Sequence, residues 1–441
     1  MVRRGKETNW KRQYKLRHNW SRGSCDVNEI QVAERPSLPP MLVRLHDDIV
    51  ITADDVHGLR TWTTKAPQRL LATLDFLLGK GEGGTQAAPT SLATDTSKNG
   101  INAIRIAVGF IDGRFGIYTF DQLNQAVACQ YLHVPSTNGM ISAVAYASPY
   151  LLTMTEAQLL CLYRFSAETT DGDAVKDPPR LLSSLKSHTA WPPLTLSIRV
   201  SSSIIVASIA YALPTYLSGW SVGLQELRLT TEGTIVESRL TSAANQGFTP
   251  LSAASGSSTP ELQSDSTSPR KFGKEQLPAL TKPTSLSYSH PYLLASHPDN
   301  TLTLYLVQST DKELRIGDGS RLWGHTSSVS GAHVGERGKA VSASAHGDEI
   351  RVWELEGGLR STSSRRRAAA GEASIQVRSE TRAMADIMGG PSPGTGCSTG
   401  LLKSTEELST TKGFVSFDEE KVVILRERGH GSQTLVVFDF S

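Results

Sequence analysis

The stretch NWKRQYKLRHNWSRG, Asn9 to Gly23, sets Trp10, Tyr14 and Trp20 among Lys11, Arg12, Lys15, Arg17 and Arg22. Arg3, Arg4 and Lys6 lie just ahead. Cations interleaved with aromatic rings can pair phosphates and stack bases, which suits RNA. The same pattern on a helix can lie on a membrane surface or in a calmodulin-like groove. A third reading is a helix that packs its rings on a folded body and turns its charges to water. Trp10, Tyr14 and Arg17 stand at i, i+4 and i+7, so a helix places them on one face.

Other residues could also do chemistry. His57 and Arg114 fall in polar turns between apolar runs. A guanidinium pairs with phosphate in a bidentate way, so such turns could read a phosphorylated motif, or they could be ordinary turn charges. Ser268 precedes Pro269 and is followed by Arg270 and Lys271, a pattern that a proline-directed kinase could use and that also arises by chance. Arg365–Arg367 could import the chain into a nucleus, bind an anion, or simply be solvated. Asp47-Asp48 and Asp54-Asp55 gather carboxylates, but turns select Asp for backbone reasons. There is no GxSxG, P-loop, HExxH or glycine-rich nucleotide fingerprint, so an enzyme is not expected. Cys25, Cys129, Cys161 and Cys397 are scattered, with no CxxC pair, and read as free thiols. No metal or cofactor is expected.

The totals agree with that reading. The chain has 441 residues with 45 Lys+Arg against 43 Asp+Glu, a net charge of +2. Near balance argues against nucleic acid as the main partner; only a local patch could bind it. No run approaches the ~20 apolar residues of a membrane span, and no secretory leader is visible. The expected location is cytoplasmic or nuclear, with no membrane.

The elements that must position these residues are short. Asp48–Trp62, DIVITADDVHGLRTW, reads as strand, polar turn and strand ending in Trp. Ile104–Phe120 repeats the form around Asp112-Gly113, a strong hairpin signal. Pro149–Phe165, Ser203–Leu229, Pro291–Val307, Lys339–Leu355 and Phe414–Phe440 repeat it again. A recurring hairpin unit that cannot bury both faces alone calls for a repeat architecture, and radial stacking leaves only short edges. Three stretches, about 79–100, 241–281 and 359–413, are rich in Ser, Thr, Gly and Pro and are expected to be disordered insertions. Cys25–Arg35 alternates and is expected to close the ring against TLVVFDF near the C-terminus.

Leu322–Gly358 resembles a WD repeat, with Gly324-His325 at its start and Trp353-Glu354 at its end. The resemblance implies a blade pinned by His325, Ser342 and Trp353. Asp348 stands near the fourth position of that set, in a turn one residue longer than usual. The other units keep the strand–turn–strand–aromatic frame, with Thr52/Trp62, Asp112/Tyr118, Thr153/Tyr163 and Asp299/Tyr305 at equivalent offsets. An all-β, seven-bladed WD40-type propeller over 25–441 is the implied fold, and its upper rim would carry His57 and Arg114.

With a propeller behind it, the N-terminal segment resembles the linker of F-box/WD-repeat proteins; Trp10, Tyr14, Arg17, Trp20 and Gly23 fit that pattern. Residues 1–24 are then the linker helix, and the F-box expected ahead of it is missing from this chain. The resemblance implies protein–protein recognition as the substrate receptor of an SCF-type ubiquitin ligase. Its partners would be a Skp-type adaptor, reached through the missing F-box, and a substrate protein. A scaffold propeller without a ligase link is the alternative.

Overall fold

The computed structural model describes residues 10–76, 88–96, 103–166, 178–186, 191–215, 219–243, 281–335, 338–346, 349–355, 374–379 and 410–441. Among them lie seven sheets, antiparallel but for the short strand Arg378–Ser379 that pairs parallel with Ser24–Cys25, and one helix, Trp10–Arg22. Each sheet is a blade built round one of the hairpins. Blade 1 runs Leu42–His46, Ile49–Asp54, Gly58–Thr63 and Arg69–Leu74, in that order from the axis outwards. Blades 2 to 6 repeat the order, beginning at Pro89, Ile141, Trp191, Ser285 and Val329.

Blade 7 closes the ring with both chain ends. Thr410–Phe417, Lys421–Glu427 and Gln433–Asp439 supply three strands, and Ser24–Ala33 adds the fourth. Asp26 pairs with Asp439 and Ile30 with Leu435 in an antiparallel register. Lys421 locks blade 7 to blade 1. Its buried ammonium donates to Asp48 Oδ1 at 2.5 Å and to Thr64 Oγ1 at 3.0 Å.

The core is not a single mass. It divides into seven apolar layers, one between each pair of neighbouring blades. Leu152 and Met154 of blade 3 pack on Ile205 and Ile209 of blade 4, for example. This explains the strand Ile49–Asp54, in which every residue is buried. A blade's middle strands are covered on both faces, so strict alternation is lost. Each fully buried Leu or Ile contributes roughly 1.5–3 kcal/mol.

Two of the expected insertions contain blade strands. Pro89–Thr94 is the innermost strand of blade 2. Ser374–Gln376 is the outer strand of blade 6, and Thr410–Phe417 is the innermost strand of blade 7. The reason is visible in PTSLAT. Thr90 Oγ1 donates to the Ile141 carbonyl at 2.7 Å, and Ser91 Oγ reaches the same oxygen at 3.2 Å. Hydroxyls that would suit a loop are satisfied by the next blade. The turn at Gly113 is tied to a distant segment as well: its φ is +79°, and a Cβ there would meet the Ser136 carbonyl at 2.7 Å. Only glycine fits such a turn without strain.

Antiparallel order assigns the turns to two ends. Turns between first and second strands lie at one end, here the helix end. Turns between second and third strands lie at the other, the rim end.

Candidate functional site: the docked helix and the opposite rim

The helix Trp10–Arg22 sits against blades 6 and 7 at the helix end. Trp20 is its anchor, only 3% exposed. Its ring stacks on Phe440 with centroids 4.0 Å apart, and Lys339 Nζ lies over the ring, 4.8 Å from its centre. Trp20 Nε1–H donates to the Glu419 carbonyl at 2.8 Å, and Asn19 Nδ2 donates to the Phe440 carbonyl at 2.9 Å. Leu16 is buried beside it. Indole burial plus a satisfied N–H is the arrangement that makes Trp an effective anchor.

The remaining side chains invert the usual amphipathic order. Arg12 and Lys15, charges that the packed-helix reading turns to water, reach the propeller. Arg12 donates to both carboxylate oxygens of Glu420, at 2.7 and 2.9 Å, and Lys15 Nζ donates to the Ser441 carbonyl at 3.0 Å. Trp10 and Tyr14, rings that the same reading packs, are 78% and 73% exposed. Arg17 is exposed too. Tyr14 stacks only on His18 of its own helix. Trp10, Tyr14 and Arg17 therefore form one outward face, and the expectation of rings packed on the propeller holds for Trp20 alone. The two charges won because Glu420 and the chain end stand within reach of that side.

At the rim end the two cationic candidates separate. Asp54 is buried and organises the first turn. Its Oδ1 accepts the amide hydrogens of Val56 and His57, at 2.9 and 2.6 Å, and lies 3.0 Å from His57 Nδ1. Its Oδ2 accepts from Arg60 at 2.9 Å. His57 is thus fixed, with 40% of its side chain exposed. Arg114 is folded back on Asp112, bonded through Nε and a terminal nitrogen, with only 15% of its side chain exposed. Its charge is already neutralised, so it does not offer an open fork for phosphate.

Apolar side chains at the same end were overlooked in the sequence. Val56 and Ile111 stand at the tips of the turns beside His57 and Arg114, more than half exposed. Trp323 is also about half exposed, with Arg321 over its ring. The signal for Val56 and Ile111 was present: large aliphatic residues inside otherwise polar turns. Aromatic and arginine side chains at a surface are the types that dominate protein interfaces.

The blade-pinning set in blade 6 is closed. Trp353 Nε1–H donates to Ser342 Oγ at 2.8 Å, and His325 Nε2 lies 2.6 Å from the same oxygen. Glu349 stands where a fourth member would. Its Oε2 is 3.4 Å from His325 Nδ1 and accepts the Thr326 amide at 2.8 Å. Asp348 lies outside the described residues. The carboxylate favours a proton on Nδ1, so the Ser342 hydroxyl donates to Nε2. Burial pushes the His325 pKa down to about 4. Blade 1 keeps a reduced copy, with Trp62 Nε1 donating to Thr52 Oγ1 at 3.0 Å. Ser268 lies outside the described residues. No group of His, Cys, Asp and Glu among the described residues could hold a metal ion. No helix among them is long and apolar enough to cross a membrane.

A family model described as the F-box protein pof12 β-propeller matches residues 25–441. The chain belongs to that family. The F-box protein pof12 of Schizosaccharomyces pombe is 44% identical over 64 residues, a stretch that spans 14% of this chain and 14% of the relative. Among solved structures, the chain is similar to the WD40 β-propeller domain of Doa1, with TM-score 0.41, 9% identity and coverage of 93% and 95% of the two chains. Sqt1 of Saccharomyces cerevisiae gives TM-score 0.46, 10% identity and coverage of 93% and 97%. The family match begins at Cys25, one residue past the first residue of the closing strand Ser24–Ala33, so the docked helix lies ahead of the pof12-type propeller. Fold and family are of the recognition and scaffold type.

Proposed function

We propose that this pof12-type propeller is the substrate-recognition subunit of an SCF-type ubiquitin ligase. The observation that carries the proposal is the inverted helix Trp10–Arg22. It holds the propeller through Trp20, Leu16 and two cations, and displays Trp10, Tyr14 and Arg17 outwards. A helix fixed on one side with rings displayed on the other is suited to join a second module at a set distance. In this reading the second module is an F-box, which binds a Skp-type adaptor.

The rim end then faces the substrate. It is the end away from the helix, and it presents Val56, His57, Ile111 and Trp323. Arg114 supports this surface by shaping its turn rather than by binding phosphate. Ubiquitin transfer belongs to other subunits in this reading, and the chain itself carries no catalytic step. Ser268, before Pro269, is proposed as a site where a kinase regulates the receptor.

The test is a pull-down of the product of the full-length transcript, probed for the Skp-type adaptor. Adaptor recovered with the wild type and lost on deletion of the segment upstream of Met1 supports the proposal. If the full-length product recovers no adaptor, the ligase reading fails. The family's recognition role then stands as that of a scaffold with fixed partners.

A further inference from the structure

Blade 4 stands taller than its neighbours at the rim end. Its two middle strands, Ile204–Thr215 and Gly219–Thr230, have 12 residues each. The middle strands of the other six blades have 5 to 8. The inner strand of blade 4 reaches only as far as the pair Trp191–Ala212, and the outer strand stops at the pair Gly223–Ser242. Beyond those pairs, Leu213–Thr215 and Gly219–Ser221 are matched only with each other among the described strands. This part of the hairpin stands clear of the ring.

The register fixes which way it faces. Directly paired residues put their side chains on one face of a sheet, and so do residues two apart along a strand. Trp191 pairs with Ala212, Ala212 with Val222, and Pro214 with Trp220. Val222 packs with Leu293 and Tyr305 of blade 5. Trp191, Pro214 and Trp220 therefore share the face of blade 4 turned towards blade 5. Trp191 is 47% exposed, Pro214 is exposed and Trp220 is half-buried. Blade 5 answers with cations. Arg321 pairs with Thr303, two residues before Tyr305, so it lies on the face turned towards blade 4. Its guanidinium lies 5.2 Å from the centre of the Trp323 ring and is bonded to Asp299 Oδ2 at 2.5 Å. Lys282, just ahead of the first strand of blade 5, ties the two walls together: its Nζ lies 5.1 Å from the centre of the Trp220 ring. Lys282 is exposed and has no carboxylate partner among the described residues.

We propose that the seam between blades 4 and 5 takes an extended acidic segment of a substrate protein, with an apolar side chain laid on the projecting Trp face and a carboxylate at Lys282. The inference rests on the reading of the rim end as the substrate surface, and it does not involve the adaptor. Indole rings give a large, rigid contact area at low entropic cost, and Trp and Arg dominate the energetics of interfaces. The unmatched ammonium sets the sign of the partner's charge. A single-stranded nucleic acid also brings anions and rings, but it needs a groove of cations along its backbone. Of the two cations at this seam, Arg321 is already held by Asp299.

The probe is a phage-displayed library of short random peptides, selected on the 441-residue chain. An enriched peptide is then synthesised and titrated at constant ionic strength. Enriched sequences are expected to carry net negative charge and at least one large apolar residue. Trp220→Ala should weaken binding at least about tenfold, the loss of an interface anchor. Lys282→Glu, an exposed change that leaves the fold intact, should weaken it about fivefold or more. Val56→Ser, on the rim of blade 1, should bind as the wild type does. No enrichment, enrichment of neutral or basic peptides, or binding unchanged in Trp220→Ala or in Lys282→Glu would each overturn the proposal. So would displacement of the peptide by a single-stranded uridine oligomer, which would assign the seam to nucleic acid. Because the selection contains no adaptor, its failure leaves the adaptor pull-down unaffected, and failure of the pull-down leaves the selection unaffected.

Discussion

Replacing Trp20 with Ala is expected to release the N-terminal helix from the propeller. The helix has 13 residues, too short to persist alone in water. Its order therefore depends on docking. A nearly fully buried indole removes ~150–250 Å² from water, worth roughly 4–6 kcal/mol at about 25 cal/mol per Å². Measured Trp→Ala losses of ~3–5 kcal/mol agree with that scale. The Arg12–Glu420 pair is a weaker tie. Arg12 is 59% exposed, and such a pair contributes at most about 1 kcal/mol. Hydrogen exchange read by mass spectrometry separates the two. In Trp20→Ala, amides of Trp10–Arg22 should exchange at least about 100-fold faster, since about 1.4 kcal/mol is tenfold. In Arg12→Ala the change should stay below about fivefold. Wild-type protection of the helix in Trp20→Ala, or equal effects of the two variants, would refute the assignment of Trp20 as the anchor.

Ser342→Ala removes the shared partner of Trp353 and His325 and should lower unfolding stability by roughly 1–3 kcal/mol in urea titrations. Lys421→Met breaks the lock between blades 7 and 1 and leaves Asp48 and Thr64 without it. A loss of roughly 1–3 kcal/mol, seen as a lower thermal midpoint, is expected, because Asp48 is about one-third exposed and keeps its bond to Lys65. Stability should also fall on acidification. His325 titrates near 4 when folded and near 6.5 when unfolded, so the unfolded chain takes up the proton first. Its contribution is complete above pH 6.5 and declines to pH 4, by about 3 kcal/mol. Asp418, raised to about 6 by burial, opposes this, because protonation relieves its buried charge as pH falls. Comparing the pH slopes of the wild type and His325→Gln isolates the histidine; equal slopes would refute its role.

The hairpins were legible because each carries its own evidence. Asp112-Gly113 marks a turn, and Ile104–Phe120 supplies the apolar runs on either side. The strand that closes the ring was legible from its alternation, Val27 outwards and Ile30 and Val32 inwards. The innermost strands were not. Pro89–Thr94 consists largely of small and polar residues, and the next blade satisfies Thr90 and Ser91. That partner is distant in sequence and leaves no local mark. Glu349 was missed for a related reason: the turn before it is longer than usual, so spacing pointed to Asp348.

The helix shows a deeper limit of pattern reading. Its rings and charges predict two faces correctly, but not which face meets the propeller. Periodicity reports which side chains share a side; it does not report what waits opposite. Here the opposite surface offers Glu420, the Glu419 and Phe440 carbonyls and the ring of Phe440. Those groups select Arg12, Asn19 and Trp20, and they leave Trp10 and Tyr14 outside. Exposed rings on a firmly docked helix are costly to keep in water, each withholding burial worth a few kcal/mol. The fold does not need them there, since Trp20 and Leu16 already hold the helix. In the proposed receptor they meet the module that the helix joins to the propeller. The outward helix face and the rim surface lie at opposite ends of the same ring, an arrangement that suits the proposed role because one partner would not block the other.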